Sequence, residues 1–214
     1  MFQLFLFIIL ATSCHCYFTS PGKCPEGVTL QQDFRLAEFF GTWHQAFHYA
    51  SDHQHLSNCS TLELQTQSSG IYLNISRVDR GLFHRYSIGA LEIPTSLDNA
   101  AKLDVTFTFK DAPRRLMKRQ YPFRVLATNY NYYATVYTCS YSPLIDKHYI
   151  YVWLLSRKPS LNVVSKELAM KPLQQLGIKE EDLIKEDTSN CSPKYYEDVK
   201  SEPVTFRFPV VVKV

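Results

Sequence analysis

Leu103-Asp104-Val105-Thr106-Phe107-Thr108-Phe109 is the stretch that decides the fold class of this 214-residue chain. Its apolar residues occupy every second position, the period of a strand with one buried face and one wet face. Similar runs cover residues 43–50, 61–67, 71–78, 83–92, 121–128, 132–141 and 148–156, parted by turn-like segments such as Val78-Asp79-Arg80-Gly81. That makes eight predicted strands. About eight antiparallel strands close into a barrel that holds side chains or one small ligand, and closure removes exposed sheet edges. A two-sheet sandwich fits the same strand count. A single helical pattern follows the last run, over residues 161–176, with Val164, Leu168 and Leu176 on one face. Pro172 lacks the N–H its turn requires and should kink or end that helix, and Gly177 is its stop.

Three short segments break the tie between barrel and sandwich. They are Gly41-Thr42-Trp43, Thr128-Asn129-Tyr130, and Arg157 within Leu154-Leu155-Ser156-Arg157-Lys158-Pro159. A Gly-x-Trp triplet alone opens strands in many unrelated proteins. In this order and spacing the three segments resemble the lipocalin signature, and the pattern is most similar to the branch of insect bilin-binding proteins and apolipoprotein D. The resemblance covers roughly residues 24–191 and implies an all-β, eight-stranded antiparallel up-and-down barrel with one C-terminal α-helix packed outside. It also implies that the Trp43 ring plugs the closed end while the Arg157 guanidinium lies over it, a cation–π pair that supplies rigid donors. Asn129 stands where the family pattern usually has Asp. It brings no carboxylate, while the backbone turn itself should form.

Residues 4–11 are apolar but too few to span a bilayer, and small residues near Cys14 and Cys16 offer a cleavage site. Residues 1–16 are therefore expected to be a signal peptide, although no Lys or Arg precedes the apolar run. The expected product is secreted and extracellular, with a barrel domain over 17–191 and an extension of unknown structure over 192–214. The apolar end of that extension, residues 206–214, is short and interrupted by Arg207, Pro209 and Lys213, so no transmembrane helix is predicted. Of six cysteines, cleavage leaves Cys24, Cys59, Cys139 and Cys191. An even set suits an oxidising compartment, and four cysteines allow three pairings. The family resemblance implies Cys24–Cys139 and Cys59–Cys191. Each closes a loop of more than a hundred residues, for which the chain-entropy model gives an upper value of about 4–5 kcal/mol. None of the four sits in a C-x-x-C pair, so a structural zinc site is the weaker alternative.

A mature chain of about 200 residues fits one domain with a sizeable core. There is no internal repeat or Gly/Ser linker, and residues 179–194 form the only long polar stretch. The net charge of +3 argues against nucleic acid as a partner.

Inside a barrel, parity from an inward Trp43 sends Gln45, Phe47 and Tyr49 to the interior and His44, Ala46 and His48 outward. A Cys139 bridged to the N-terminal segment must point outward, which turns Tyr132, Ala134, Val136 and Thr138 inward. Tyr151, Trp153, Phe107, Tyr121 and Phe123 complete an aromatic and aliphatic lining with a few hydroxyls. Such a lining suits a flat, conjugated or lipidic ligand: a bilin or other pigment, a lipid, a fatty acid or a sterol-like molecule. No cofactor is required for that role, and a bilin or lipid is the expected cargo. Haem ligation needs an inward His, and parity supplies none. His44, His48, His53 and His55 read as exposed polar residues, and no metal site is expected.

Pro113-Arg114-Arg115-Leu116-Met117-Lys118-Arg119 is the one dense basic run and joins two strands at the barrel mouth. Its charges suit an acidic ligand head group or an anionic membrane surface, with Leu116 and Met117 dipping into apolar material. An ordinary solvated hairpin is the plainer reading. Sequons occur at Asn58, Asn74 and Asn190; Asn74 is the first choice for a glycan, because the other two flank cysteines expected to be bridged. No G-x-S-x-G elbow, H-E-x-x-H helix or glycine-rich phosphate loop is present, and no enzymatic activity is expected. The expected function is thus a secreted carrier of a small hydrophobic ligand. The competing class is a secreted protein-binding module that engages a receptor or protease through its mouth loops or tail; a side-chain-filled barrel would favour it. The sequence does not fix an oligomeric state.

Overall fold

The computed structural model describes residues 20–50, 57–79, 83–93, 100–108, 118–189 and 191. The expected signal peptide and the 192–214 extension lie outside the described residues, as do Pro113 to Met117, His53, His55 and Asn190. A short strand β1 (Ser20–Pro21) and a four-residue helix α1 (Leu36–Phe39) precede the barrel. The barrel strands are β2 (Gly41–Ala50), β3 (Ser57–Gln67), β4 (Gly70–Asp79), β5 (Phe83–Glu92), β6 (Lys102–Thr108), β7 (Lys118–Thr128), β8 (Tyr133–Ser142) and β9 (Lys147–Ser156). Each pairs antiparallel with the next, and β9 returns to β2, which closes the sheet. The fold is the all-β, eight-stranded antiparallel up-and-down barrel expected, with one helix outside it.

That helix, α2 (Val163–Met170), starts at Asn162, whose side-chain oxygen accepts from the Ser165 N–H at 2.8 Å. It tightens into a 3-10 turn over Lys171–Leu176 with Pro172 in its first positions, where a missing N–H costs least. Gly177 ends it in the left-handed region at φ 68°. The expected break at Pro172 is therefore present. The expected face holds in part: Leu168 and Leu176 pack against the outer cluster, whereas Val164 is exposed and Ser165, Ala169 and Leu173 are the most buried positions. The Thr135 hydroxyl of β8 donates to the Ala169 carbonyl at 2.7 Å and sets which side of α2 meets the wall.

Two apolar layers follow from strand parity. Trp43, Leu62, Leu64, Leu73, Leu103, Val105, Val125, Val136 and Leu155 pack inside the barrel. Leu126, Tyr137, Ile150, Val152 and Leu154 face outward, with Ala169 and Leu173 of the helical segment in the same cluster. Cys24 bonds Cys139 and Cys59 bonds Cys191, with Cα separations of 6.0 and 5.5 Å, in the pairing implied by the family resemblance.

The wall is irregular at one place. β2 pairs with β3 only from Gly41 to His44. Above that point a short strand β10 (Ile184–Lys185) runs antiparallel to β2, with Ile184 opposite His48 and Lys185 opposite Phe47. The Glu186 N–H donates to the Ala46 carbonyl at 3.0 Å, and the Cys59 N–H donates to the Asp187 carbonyl at 3.2 Å. The C-terminal segment is thus wedged into the seam between β2 and β3, and Cys59–Cys191 pins it there.

Candidate functional site

At the closed end, Trp43 is fully buried and its indole N–H donates to the Phe39 carbonyl at 2.9 Å. The Phe39 ring lies 4.9 Å from it, centroid to centroid. Arg157 covers the other side, its Cζ 3.7 Å from the Trp43 ring centroid. Its Nε donates to the Tyr130 carbonyl, one terminal nitrogen to Thr42 and the other to Glu38, at 2.9 to 3.1 Å. A single planar guanidinium therefore ties three chain segments together over an aromatic face. Gly41 is suited to this junction: its φ is +88°, which side-chain-bearing residues rarely adopt, and a Cβ there would sit 3.5 Å from the guanidinium. The turn after β7 forms with Asn129 in the usual Asp position. Its side-chain oxygen accepts from the Tyr132 and Tyr133 N–H groups at 2.9 and 3.1 Å, so this turn needs an acceptor and no charge.

Of the expected lining residues, Gln45, Phe107, Tyr121, Phe123, Val136, Tyr151 and Trp153 stand on the inner face. Phe107, Phe123 and Val136 belong to the interior cluster, and Tyr121 and Trp153 pack against it. Tyr151 and Trp153 stack at 6.4 Å with planes 13° apart. Phe47, Tyr49 and Tyr132 depart from the expected orientation. The β2–β9 register slips between Gln45 and Phe47, so Gln45 lies opposite Leu155 and Phe47 opposite Leu154. One extra residue reverses the parity of everything above it. Phe47 and Tyr49 consequently join the outer cluster; the Lys166 ammonium of α2 lies 4.7 Å from the Phe47 ring, and burial together with the Asp182 charge raises the Tyr49 phenol above its ordinary value. Tyr132 precedes β8 in the closed-end turn and is 59% exposed.

The same bulge corrects the reading of His48. It pairs with Trp153, which packs on the interior cluster, so His48 faces inward rather than outward. His44, below the slip, stays on the outer face, where burial lowers its imidazole from the ordinary value. His48 belongs to a polar group that sequence reasoning missed. The fully buried Glu186 carboxylate accepts from the Gln45 side-chain nitrogen at 2.7 Å and from the Ser60 N–H at 3.0 Å. The Gln45 nitrogen also lies 3.1 Å from His48 Nδ1. Cys59, at φ +59°, is part of the β3 bulge that turns Ser60 toward the carboxylate. Nothing in the sequence marks Glu186, which sits unremarked in the polar stretch before the last bridged cysteine.

Toward the open end the interior is less tightly packed. Along β9 the outward residues His148, Ile150 and Val152 are buried, while the inward residues Tyr149, Tyr151 and Trp153 are only half-buried. Arg119 shares the inner face through its pairing with Phe107, and it is half-buried two positions above Tyr121. The β8–β9 turn at the same end carries Leu144, 80% exposed, and an exposed Ile145. Among the sequons, Asn74 is buried in β4 at 3% exposure and Asn58 is half-buried, so neither amide stands clear of the wall.

Residues 92–190 match the lipocalin / cytosolic fatty-acid binding protein family. Insecticyanin-B of Manduca sexta is 29% identical over 91% of this chain and 93% of its own. The chain resembles the lipocalins in fold and in sequence. Apolipoprotein D of Mus musculus is 26% identical over 79% of this chain and 85% of its own. Among solved structures, insecticyanin from the tobacco hornworm superposes with a TM-score of 0.68 at 28% identity, covering 82% of this chain and 91% of that chain. Lobster apocrustacyanin A1 reaches 0.65 at 16% identity, covering 88% and 99%, and shares the fold.

Proposed function

We propose that this protein is a secreted lipocalin-type carrier that holds a small hydrophobic ligand in the upper half of its barrel. One observation carries the reading: the inward aromatic residues of β9, Tyr149, Tyr151 and Trp153, are less buried than their outward neighbours His148, Ile150 and Val152. A barrel wall whose inner face is more open than its outer face has room for a guest, and the guest's apolar surface would complete the burial. The family match supports the class of ligand, since lipocalins include carriers of hydrophobic molecules. A flat conjugated pigment such as a bilin, a lipid, a fatty acid or a sterol-like molecule fits an aromatic lining with few hydroxyls. Arg119, on the inner face below the mouth, favours guests with an acidic head group. Secretion is supported by the two long-range disulfides, which persist in oxidising compartments.

Native mass spectrometry with an absorption spectrum, on protein purified from its own secretory source, tests the proposal. A bound mass with visible absorbance establishes a pigment carrier, and a colourless bound mass points to lipid. No bound mass, with no displacement of an apolar fluorescent probe, removes the carrier reading. The exposed Leu144 and Ile145 favour a second, subsidiary reading in which the mouth touches a membrane surface or receptor. Replacing both by Ser should then abolish binding to anionic vesicles or to a receptor without changing ligand affinity.

A further inference from the structure

The Glu186, Gln45 and Ser60 group fixes more than the seam. As a carboxylate, Glu186 only accepts, so the Gln45 atom 2.7 Å from it is the amide nitrogen, which donates one hydrogen there. The second hydrogen of the same nitrogen faces His48 Nδ1 at 3.1 Å. Nδ1 is then the acceptor and the ring carries its proton on Nε2. Nε2 has no hydrogen-bond partner among the described residues, although the residue is only 6% exposed and its ring stands on the inner face beside Trp153. A donor held in this way on the inner face is available to a guest inside the barrel.

A buried hydroxyl without a partner stands on the same wall. Register places His48, Trp153 and Val136 in one row across β2, β9 and β8, and Ala50, Tyr151 and Thr138 in the next row up. Thr138 is 4% exposed, faces inward, and its hydroxyl has no partner. His48 and Thr138 therefore flank the stacked Tyr151 and Trp153 rings from opposite sides.

We infer that this patch is the polar recognition element of the barrel, and that it selects flat apolar ligands bearing a hydrogen-bond acceptor oxygen, such as a lactam, ketone or carboxylate, over plain hydrocarbons. The aromatic pair takes the ligand's face, His48 Nε2–H donates to its oxygen, and the Thr138 hydroxyl gives a second polar contact. Glu186 and Gln45 act as positioning residues through His48. The inference rests on the carrier reading above and adds the group that discriminates among guests.

Fluorene and fluorenone form a suitable probe pair, because they share a flat ring system and differ by one carbonyl. Trp43 and Trp153 are the only tryptophans, so quenching of indole emission in the disulfide-bonded protein reads occupancy beside the patch. Wild type should prefer fluorenone. His48→Leu should weaken fluorenone by about fivefold to tenfold, the usual scale of one net hydrogen bond, and leave fluorene unchanged. His48→Gln retains a donor and should keep most of the preference. Thr138→Val should reduce it in the same direction, and it decides the matter if the Leu variant does not fold. An unchanged fluorenone-to-fluorene ratio in either folded variant overturns the inference while the carrier reading stands. Failure of wild type to bind both probes removes the carrier reading and the patch with it.

Discussion

At the closed end every nitrogen of Arg157 donates to a carbonyl and the Trp43 N–H has its own acceptor, whereas halfway up the wall the Thr138 hydroxyl is buried without a partner and His48 Nε2 makes no hydrogen bond among the described residues. Both regions lie on the same strands, since β2 and β9 contribute to each. The difference is in what the two regions are built to hold. A satisfied network over a buried indole is a finished piece of structure, and its removal should cost stability. Unsatisfied donors beside half-buried aromatic rings are unfinished until a ligand arrives, so changing them should alter binding more than folding.

Trp43→Ala should break the first half of that contrast with the largest effect. It removes a fully buried indole, unseats Phe39, and leaves Arg157 without its aromatic face. A loss of about 3–5 kcal/mol in chemical denaturation is expected, and a loss below about 1 kcal/mol would mean that the plug is not what closes the barrel.

Glu186→Ala comes next. It strands the Ser60 N–H and the Gln45 amide in a buried seam, which should cost about 2–3 kcal/mol and speed hydrogen exchange of the Cys59 and Glu186 amides. Slow exchange at those amides in the variant would show that the Cys59–Cys191 bridge holds the wedge without help.

Tyr137 sharpens the comparison from outside the barrel. Its hydroxyl is buried among outer-face apolar residues with no partner, and burial pushes its phenol up to about 12, partly opposed by the Arg124 charge. Its folded value lies above the unfolded one, so its contribution is fully present below about pH 10 and is lost as pH rises toward about 12. No ligand can reach that face, so Tyr137→Phe should raise stability by up to about 1 kcal/mol and flatten the alkaline limb. A destabilised variant would point to a partner for the hydroxyl and would blunt the distinction between unfinished interior and merely imperfect exterior.

Period-two alternation gave the eight strands, and the three short segments gave closure and the plug, because each rests on local spacing that the barrel preserves. Phe47 and Tyr49 were misplaced for one reason: a bulge at Ala46 is invisible to parity counting and reverses all positions beyond it. His48 moved inward by the same slip. Glu186 lies 141 residues from Gln45 in sequence, and no local pattern announces such a pairing. Asn74 shows the limit of motif reading, since a sequon says nothing about how far its amide is buried in the strand.

His44 provides the smallest expected effect and a control on His48. The two imidazoles lie on one strand on opposite faces, and burial lowers that of His44 from 6.5. In the folded state His44 resists protonation, so the unfolded chain takes up the proton first. Its share of stability is complete above about pH 6.5 and is lost as pH falls from there through the lower folded value. His44→Gln should therefore flatten the decline in melting temperature between neutral and mildly acidic pH, and leave the fluorenone-to-fluorene ratio untouched. If instead His44→Gln changes ligand selectivity, the parity of β2 below the bulge is wrong, and the assignment of His48 to the inner face fails with it.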